Sequence, residues 1–191
     1  MQGWRFKLIK ALAFIHKIVG LSDSDFRDYY ENKHAPLASS LLSFEGYERN
    51  YISAELNPLF TSRGSISIFT YESMASLDII GKQMSSDAGD TLRDDEVKFM
   101  DVSKNYFVLT ESNQLTEKEF NKKIFYSANS EDNLNLLDSY EGIEKISNNL
   151  IIEPNEIMGI VEYGITKKVS FDTLKNLTQE HPQAMIASCI S

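Results

Sequence analysis

Apolar residues recur along this chain with two alternating periods, and the alternation sets the order of elements. From Lys10 to Ile18, Leu12, Phe14 and His16 fall on one side of an alternating segment, the spacing of a strand. From Ser22 to about Leu42 the period lengthens. Phe26, Tyr30, His34 (or Lys33), Leu37 and Leu41 share one helical face. Tyr47 to Ala54 and Ser65 to Tyr71 return to strand character, the second with Ile66 and Ile68 in step and Phe69 out of step. Met74 to Met84 reads as a helix, an acidic loop and short turn follow, and Asn105 to Thr110 closes as a strand. The order βαββαβ is the split βαβ plan of a ferredoxin-like unit.

The rest of the chain fits the same plan. Lys122 to Ala128 is a strand, and Glu131 to Tyr140 suits a helix with Leu134, Leu137 and Leu136 inward. Ile143 to Ile152 and Ile157 to Ile165 form a strand pair around a Glu153-Pro154-Asn155 turn. Ser170 caps a helix bearing Phe171, Leu174 and Leu177, and Ala184 to Ile190 is the last strand. Only the element order repeats; no residue-level similarity between the copies stands out. A single ferredoxin-like unit leaves one face of its sheet bare. Two in one chain can cover each other, so the expected fold is α+β, a tandem of ferredoxin-like repeats closing an intramolecular barrel. The expected halves are 1–112 and 113–191, with the polar stretch Glu111 to Asn121 between them. One such domain with an irregular C-terminal extension is the alternative.

Composition narrows the function classes. The chain has 191 residues, 42% hydrophobic and 25% charged, ordinary for a protein with a real core. A net charge of −9 with scattered basic residues argues against nucleic-acid and membrane-surface partners. The lone Cys189 excludes an internal disulfide and paired-cysteine zinc sites, and reads as a small strand residue. No apolar run reaches membrane-span length, and Met1 to Lys10 makes a poor signal peptide. A cytoplasmic protein, monomer or homodimer, with a small-molecule ligand is expected.

Candidate chemistry concentrates in Gly20 to Leu37. Ser22 with Asp25 three residues on forms a capping-box variant, and Asp23 and Asp25 suit the positive end of a helix. Tyr30 and His34 lie four apart on one face. Pro36 cannot bond the carbonyl of Asn32 and biases Ala35 away from helical angles, so a kink or restart at His34 to Pro36 is expected. An imidazole placed there can exchange a proton near neutral pH. Tyr29 or Tyr30 can offer a hydroxyl to a substrate oxygen, although core packing is their ordinary role.

This run resembles the signature of the EthD-like family, within the dimeric α+β barrel (ferredoxin-like) superfamily. The resemblance rests on Gly20, Ser22, Phe26, Tyr29 or Tyr30, then His34-Ala35-Pro36-Leu37. It continues through Tyr47, Arg49-Asn50-Tyr51, Asp94-Asp95-Glu96, Phe99 and Asp101, over about residues 10 to 112. Similar proteins include dehydratases and cyclases acting on polyketide-like intermediates in a cleft between sheet and helices, with the helix histidine as the suspected polar group. The resemblance therefore nominates His34. The second half has no such motif and reads Asn133-Leu134-Asn135-Leu136-Leu137-Asp138 instead, so at most one site of this kind is expected.

Other residues enter more weakly. Arg49 or Asn50, beside Tyr51 on a strand, can point into the cleft, and Arg49 can hold an enolate oxygen. His16 shares a strand face with Phe14 and can line the central cavity. His181 reads as a helix-end residue. Asp87, Asp90, Asp94, Asp95 and Glu96 lack calcium-loop spacing and read as a solvated loop. A haem iron would need an axial ligand from His16, His34 or His181. No nucleotide-binding glycine loop occurs, and no metal or other cofactor is expected. The leading expectation is a cofactor-independent dehydratase, cyclase or isomerase. His34 would move the proton, Tyr30 and Arg49 would stabilise the oxyanion, and Tyr29, His16, Asn50 and Tyr51 would contact the substrate. A non-catalytic binding or scaffold module is the alternative.

Overall fold

The computed structural model describes residues 8–153 and 156–190. The alternating segments become eight strands: β1 (Leu8–His16), β2 (Gly46–Ile52), β3 (Arg63–Tyr71), β4 (Tyr106–Gln114), β5 (Lys122–Ala128), β6 (Ile143–Ile151), β7 (Gly159–Ile165) and β8 (Ala184–Ile190). They close an antiparallel barrel in the order β1-β3-β2-β8-β5-β7-β6-β4. β2 pairs with β8 and β4 with β6, so the sheet of each half completes the other and leaves no open edge. The α+β tandem expected from the patterning is the fold of the chain. Residues 111–114, expected as linker, extend β4 and pair with β6. Pro154 and Asn155 of the expected turn lie outside the described residues.

The register relates the halves residue by residue. Asn50 on β2 lies opposite Ile66 and donates from Nδ2 to its carbonyl at 3.1 Å. Asn149 on β6 does the same to Ile160 at 2.9 Å. Counting from these pairs, Lys10 opposite Thr70 is equivalent to Lys123 opposite Gly164. The repeat invisible in the linear sequence is therefore written in the positions that face the barrel lumen.

That lumen is apolar at its centre, with Leu12, Phe14, Ile66, Ile68, Phe125 and Ile160 buried. One end is ionic. Lys10 Nζ lies 2.9 Å from Glu162 Oε1, Lys123 Nζ lies 2.7 Å from Glu48, and Ser147 and Asn149 also donate to Glu162. Burial works to raise the Glu162 carboxyl, but Lys10 and Lys123 hold it down at about 2. Cys189 sits beside this cluster, its thiol pushed up to about 12 by burial and by Glu48, so it is unreactive.

Helices cover the outer faces. In the first half they are α1 (Asp23–Tyr29), a π-helical turn at Tyr30–His34, α2 (Ala35–Leu41), α3 (Met74–Met84) and α4 (Asp87–Glu96); in the second, α5 (Phe171–Glu180). Ser22 and Ser170 accept from Asp25 N–H and Thr173 N–H at 3.1 Å, as N-caps do. The helix expected at Glu131 to Tyr140 is a short 3-10 turn, Glu131–Asn135, followed by turns that seat Leu137 in the core. The acidic loop after α3 is instead the helix α4. Gly89 allows the tight α3–α4 corner, since a Cβ there would meet the Met84 carbonyl oxygen at 2.0 Å.

Candidate active site

The site begins with the proline. Instead of a break at His34 to Pro36, the chain inserts one π turn, in which Ala35 N–H bonds the Tyr30 carbonyl five residues back. Ala35 keeps helical angles, φ −64 and ψ −43. Widening the turn accommodates the Pro36 ring and its missing donor without ending the helix. The axis continues into α2 while His34 turns toward the end of α4.

There its Nδ1 lies 3.0 Å from Asp95 Oδ2, and both side chains are buried. Tyr29 donates to the other carboxylate oxygen of Asp95 at 2.7 Å. Phe99 and Tyr30 flank the imidazole, with ring centroids 5.1 and 5.0 Å away. Burial tends to raise the Asp95 carboxyl, but the hydrogen bonds from Tyr29 and His34 and the nearby Lys98 hold it below its ordinary value, so it is an anion at neutral pH. His34 moves the same way for a different reason. Desolvation lowers it more than Asp95 raises it, which leaves the imidazole neutral. Since the carboxylate only accepts, Nδ1 carries the proton and Nε2 keeps its lone pair. That is the protonation state of a general base.

His34 lines a cleft of about 470 Å³ between the sheet and α2, α3 and α4. Its floor is Ala11 and Ala13 on β1; Phe69, Leu77, Ile80 and Leu109 supply apolar walls, and Glu96 and Tyr71 are the other ionisable groups in the lining. The register explains why the cleft belongs to this half. Ala11 and Ala13 are equivalent to Ile124 and Tyr126, which with Tyr163 fill the same outer face beneath α5. Small residues leave the space that large ones occupy.

Not every residue expected at the site reaches it. Tyr30 is fully buried behind the histidine, its hydroxyl 2.9 Å from Ser67 Oγ and accepting from Tyr47 at 2.8 Å. Arg49 points from β2 toward the helix, where all three of its nitrogens are engaged: Nε and Nη2 bind Glu31 at 3.1 and 2.9 Å, and Nη1 the Tyr47 carbonyl at 2.6 Å. Tyr51 donates to the same Glu31 carboxylate at 2.5 Å. These three dock the helix on the sheet. Asn50 faces the lumen, where it bonds Glu48 and the Ile66 carbonyl. His16 sits at a barrel mouth with Nδ1 3.2 Å from Ser62 Oγ, and His181 Nε2 lies 3.0 Å from the Tyr140 hydroxyl. Neither lines the cleft, so neither offers a ligand to a haem placed there. Of the expected residues, His34 lines it, and Tyr29 reaches the carboxylate that His34 contacts.

Asp95 and Glu96 join the site although the acidic stretch has the composition of a solvated loop. The signal was present. Ser86 followed by Asp87 and Asp90 is a helix start, and Leu92, Asp95, Glu96 and Phe99 then recur at helical spacing. Among the described residues, no three His, Cys, Asp or Glu side chains converge as a metal-ligand set.

Comparisons with known proteins agree with this architecture. A candidate chlorite dismutase is 12% identical and superposes with a TM-score of 0.56 over 98% of this chain and 96% of its own. An anthrone oxidase-like protein gives 0.54 at 8% identity, covering 98% and 93%. A candidate monooxygenase from Lactobacillus acidophilus gives 0.52 at 10% identity, covering 96% and 93%. At such identities the likeness is one of fold. No curated protein sequence matches the chain. Residues 19–103, which hold the π turn, His34, Asp95 and Glu96, match the EthD domain.

Proposed function

We propose that the cleft is the active site of a small enzyme of the dehydratase, cyclase or isomerase kind. Neutral His34, oriented by Asp95, takes a proton from carbon next to a carbonyl of an aromatic or polyketide-like substrate. The observation that carries the reading is the Nδ1–Asp95 contact of 3.0 Å at the wall of an apolar cleft of about 470 Å³. The contact leaves Nε2 as the basic atom, and the apolar walls suit a flat hydrophobic ligand while excluding water. Proton transfer of this kind requires only the imidazole. Tyr30 and Arg49 have no part in the chemistry, because both spend their polar groups on the helix–sheet junction.

The test is α-proton exchange. With 1-tetralone in D2O, the protein should speed loss of the C2 proton signals, and His34→Ala should abolish the effect while keeping the circular dichroism of the fold. Binding without exchange would favour a non-catalytic module. A second reading is supported by the names of two fold neighbours, monooxygenase and anthrone oxidase-like. The carbanion made by His34 would then react with molecular oxygen, and oxygen uptake on an anthrone would separate it from elimination.

A further inference from the structure

Asp95 and Glu96 are adjacent carboxyls at the end of α4 with opposite surroundings. Asp95 is held by Tyr29, His34 and, at 3.5 Å, Lys98. Glu96 is half-buried, lines the cleft, and has no hydrogen-bond or ion-pair partner among the described residues. Arg93, three residues back on the same helix, spends its guanidinium on Asp90 and the Met84 carbonyl. A half-buried carboxyl in a mostly apolar lining, with no partner held against it, is shifted toward its neutral form. Burial raises it, Arg93 opposes this and the Asp95 anion adds to it, and the net direction is upward. The cleft therefore contains a proton acceptor and a proton donor, and their environments push the two apart in the sense that acid–base pairs require.

Resting on the reading of His34 as the base, we propose that Glu96 is the catalytic acid of a dehydration, so that the substrate class is a β-hydroxy ketone on a flat apolar ring skeleton. His34 Nε2 takes the α-proton, and the electrons of that C–H bond form the enolate. The enolate then forms the new carbon–carbon double bond as the β C–O bond breaks. Glu96 gives its proton to the departing hydroxyl, which leaves as water. His34 ends protonated and Glu96 ionised, and exchange with solvent after product release restores both. The step consumes no oxidant or reductant. An uncharged acid on the carbonyl would serve enolisation in any of these reactions, whereas one on the β-oxygen serves only elimination, and the two placements are separated by comparing elimination with exchange.

The probes are 3-hydroxy-1-tetralone, whose loss of water and tautomerisation give fluorescent 1-naphthol, and 1-tetralone, which has an exchangeable α-proton and no leaving group. Glu96→Gln should cut naphthol formation by about 10²-fold or more relative to exchange on 1-tetralone, so that the ratio of the two rates falls by that factor. Glu96→Asp should recover part of the elimination, which excludes misfolding as the cause. Elimination by the wild type should also fall as pH rises above the ordinary carboxylate range, while exchange does not. Naphthol formation unchanged in Glu96→Gln would overturn the assignment. So would equal loss of exchange and elimination, which would place Glu96 on the carbonyl. If the wild type exchanges 1-tetralone but forms no naphthol, the dehydration fails and the base reading survives. If it does neither, both fall.

Discussion

Replacing Asp95 with Asn tests the histidine more sharply than removing the histidine itself. The Asp95 carboxylate accepts two hydrogen bonds, from Tyr29 at 2.7 Å and from His34 Nδ1 at 3.0 Å. An amide has one acceptor oxygen and one donor nitrogen. The Tyr29 hydroxyl can donate or accept, and the arrangement that keeps it donating, as it does to Asp95, gives it the amide oxygen and leaves the NH2 facing Nδ1. Nδ1 must then accept, and its proton moves to Nε2, the atom that needs a lone pair. The volume and the packing against Phe99 are unchanged, yet the base is lost. General-base catalysis contributes roughly 10²–10⁴-fold, so exchange on 1-tetralone should fall by that factor, about 3–5 kcal/mol of barrier. The cost in stability should be smaller, about 1–2 kcal/mol, because both hydrogen bonds persist in altered form. Nitrogen-15 spectra of labelled histidine report the tautomer without any substrate. A protein that keeps its proton on Nδ1 and its exchange rate within about threefold of the wild type would refute the argument.

Other outcomes follow from the same geometry. Ala13→Tyr, which installs the residue found at the equivalent position 126, should fill the cleft and weaken ligand binding by about tenfold or more with the fold retained, as read by fluorescence titration. Tyr30→Phe should leave exchange intact and cost about 1–3 kcal/mol in urea unfolding, because Ser67 and Tyr47 lose a buried partner. Glu162→Gln should destabilise by about 3–5 kcal/mol, since Lys10 and Lys123 would stay buried with their shared counter-charge removed. His34 is lowered on folding, so its contribution to stability is complete above its ordinary 6.5 and is lost as pH falls through its lower folded value. Exchange should fall over the same window, and urea midpoints and rates measured between pH 4 and 8 should move together.

Strand positions were legible because one face of each strand is apolar, and Lys122–Ala128 and Ala184–Ile190 begin and end where the alternation does. The barrel was legible because a second set of the same elements had to cover the first. What the linear pattern hid depends on orientation. Arg49, Asn50 and Tyr51 are consecutive and alternate between the helix side and the lumen, so the family resemblance alone could not say which of them meets a ligand. Asp95 looked like surface charge because its partners, Tyr29 and His34, are more than sixty residues away. The proline predicts a break from the sequence because the π turn that accommodates it has no sequence signature of its own.

One chain supplies both halves of this barrel, and that frees equivalent positions to evolve separately. In a homodimer a codon change at a lumen or cleft position appears twice, so enlarging a floor residue would close both clefts at once. Here Ala13 stays small while Tyr126 is large, and the acids that neutralise Lys10 and Lys123 stand on β2 and β7, strands that are not equivalents of each other. Two halves in one chain thus allow an asymmetric barrel: one half holds an open cleft, and the other fills the equivalent space with large side chains.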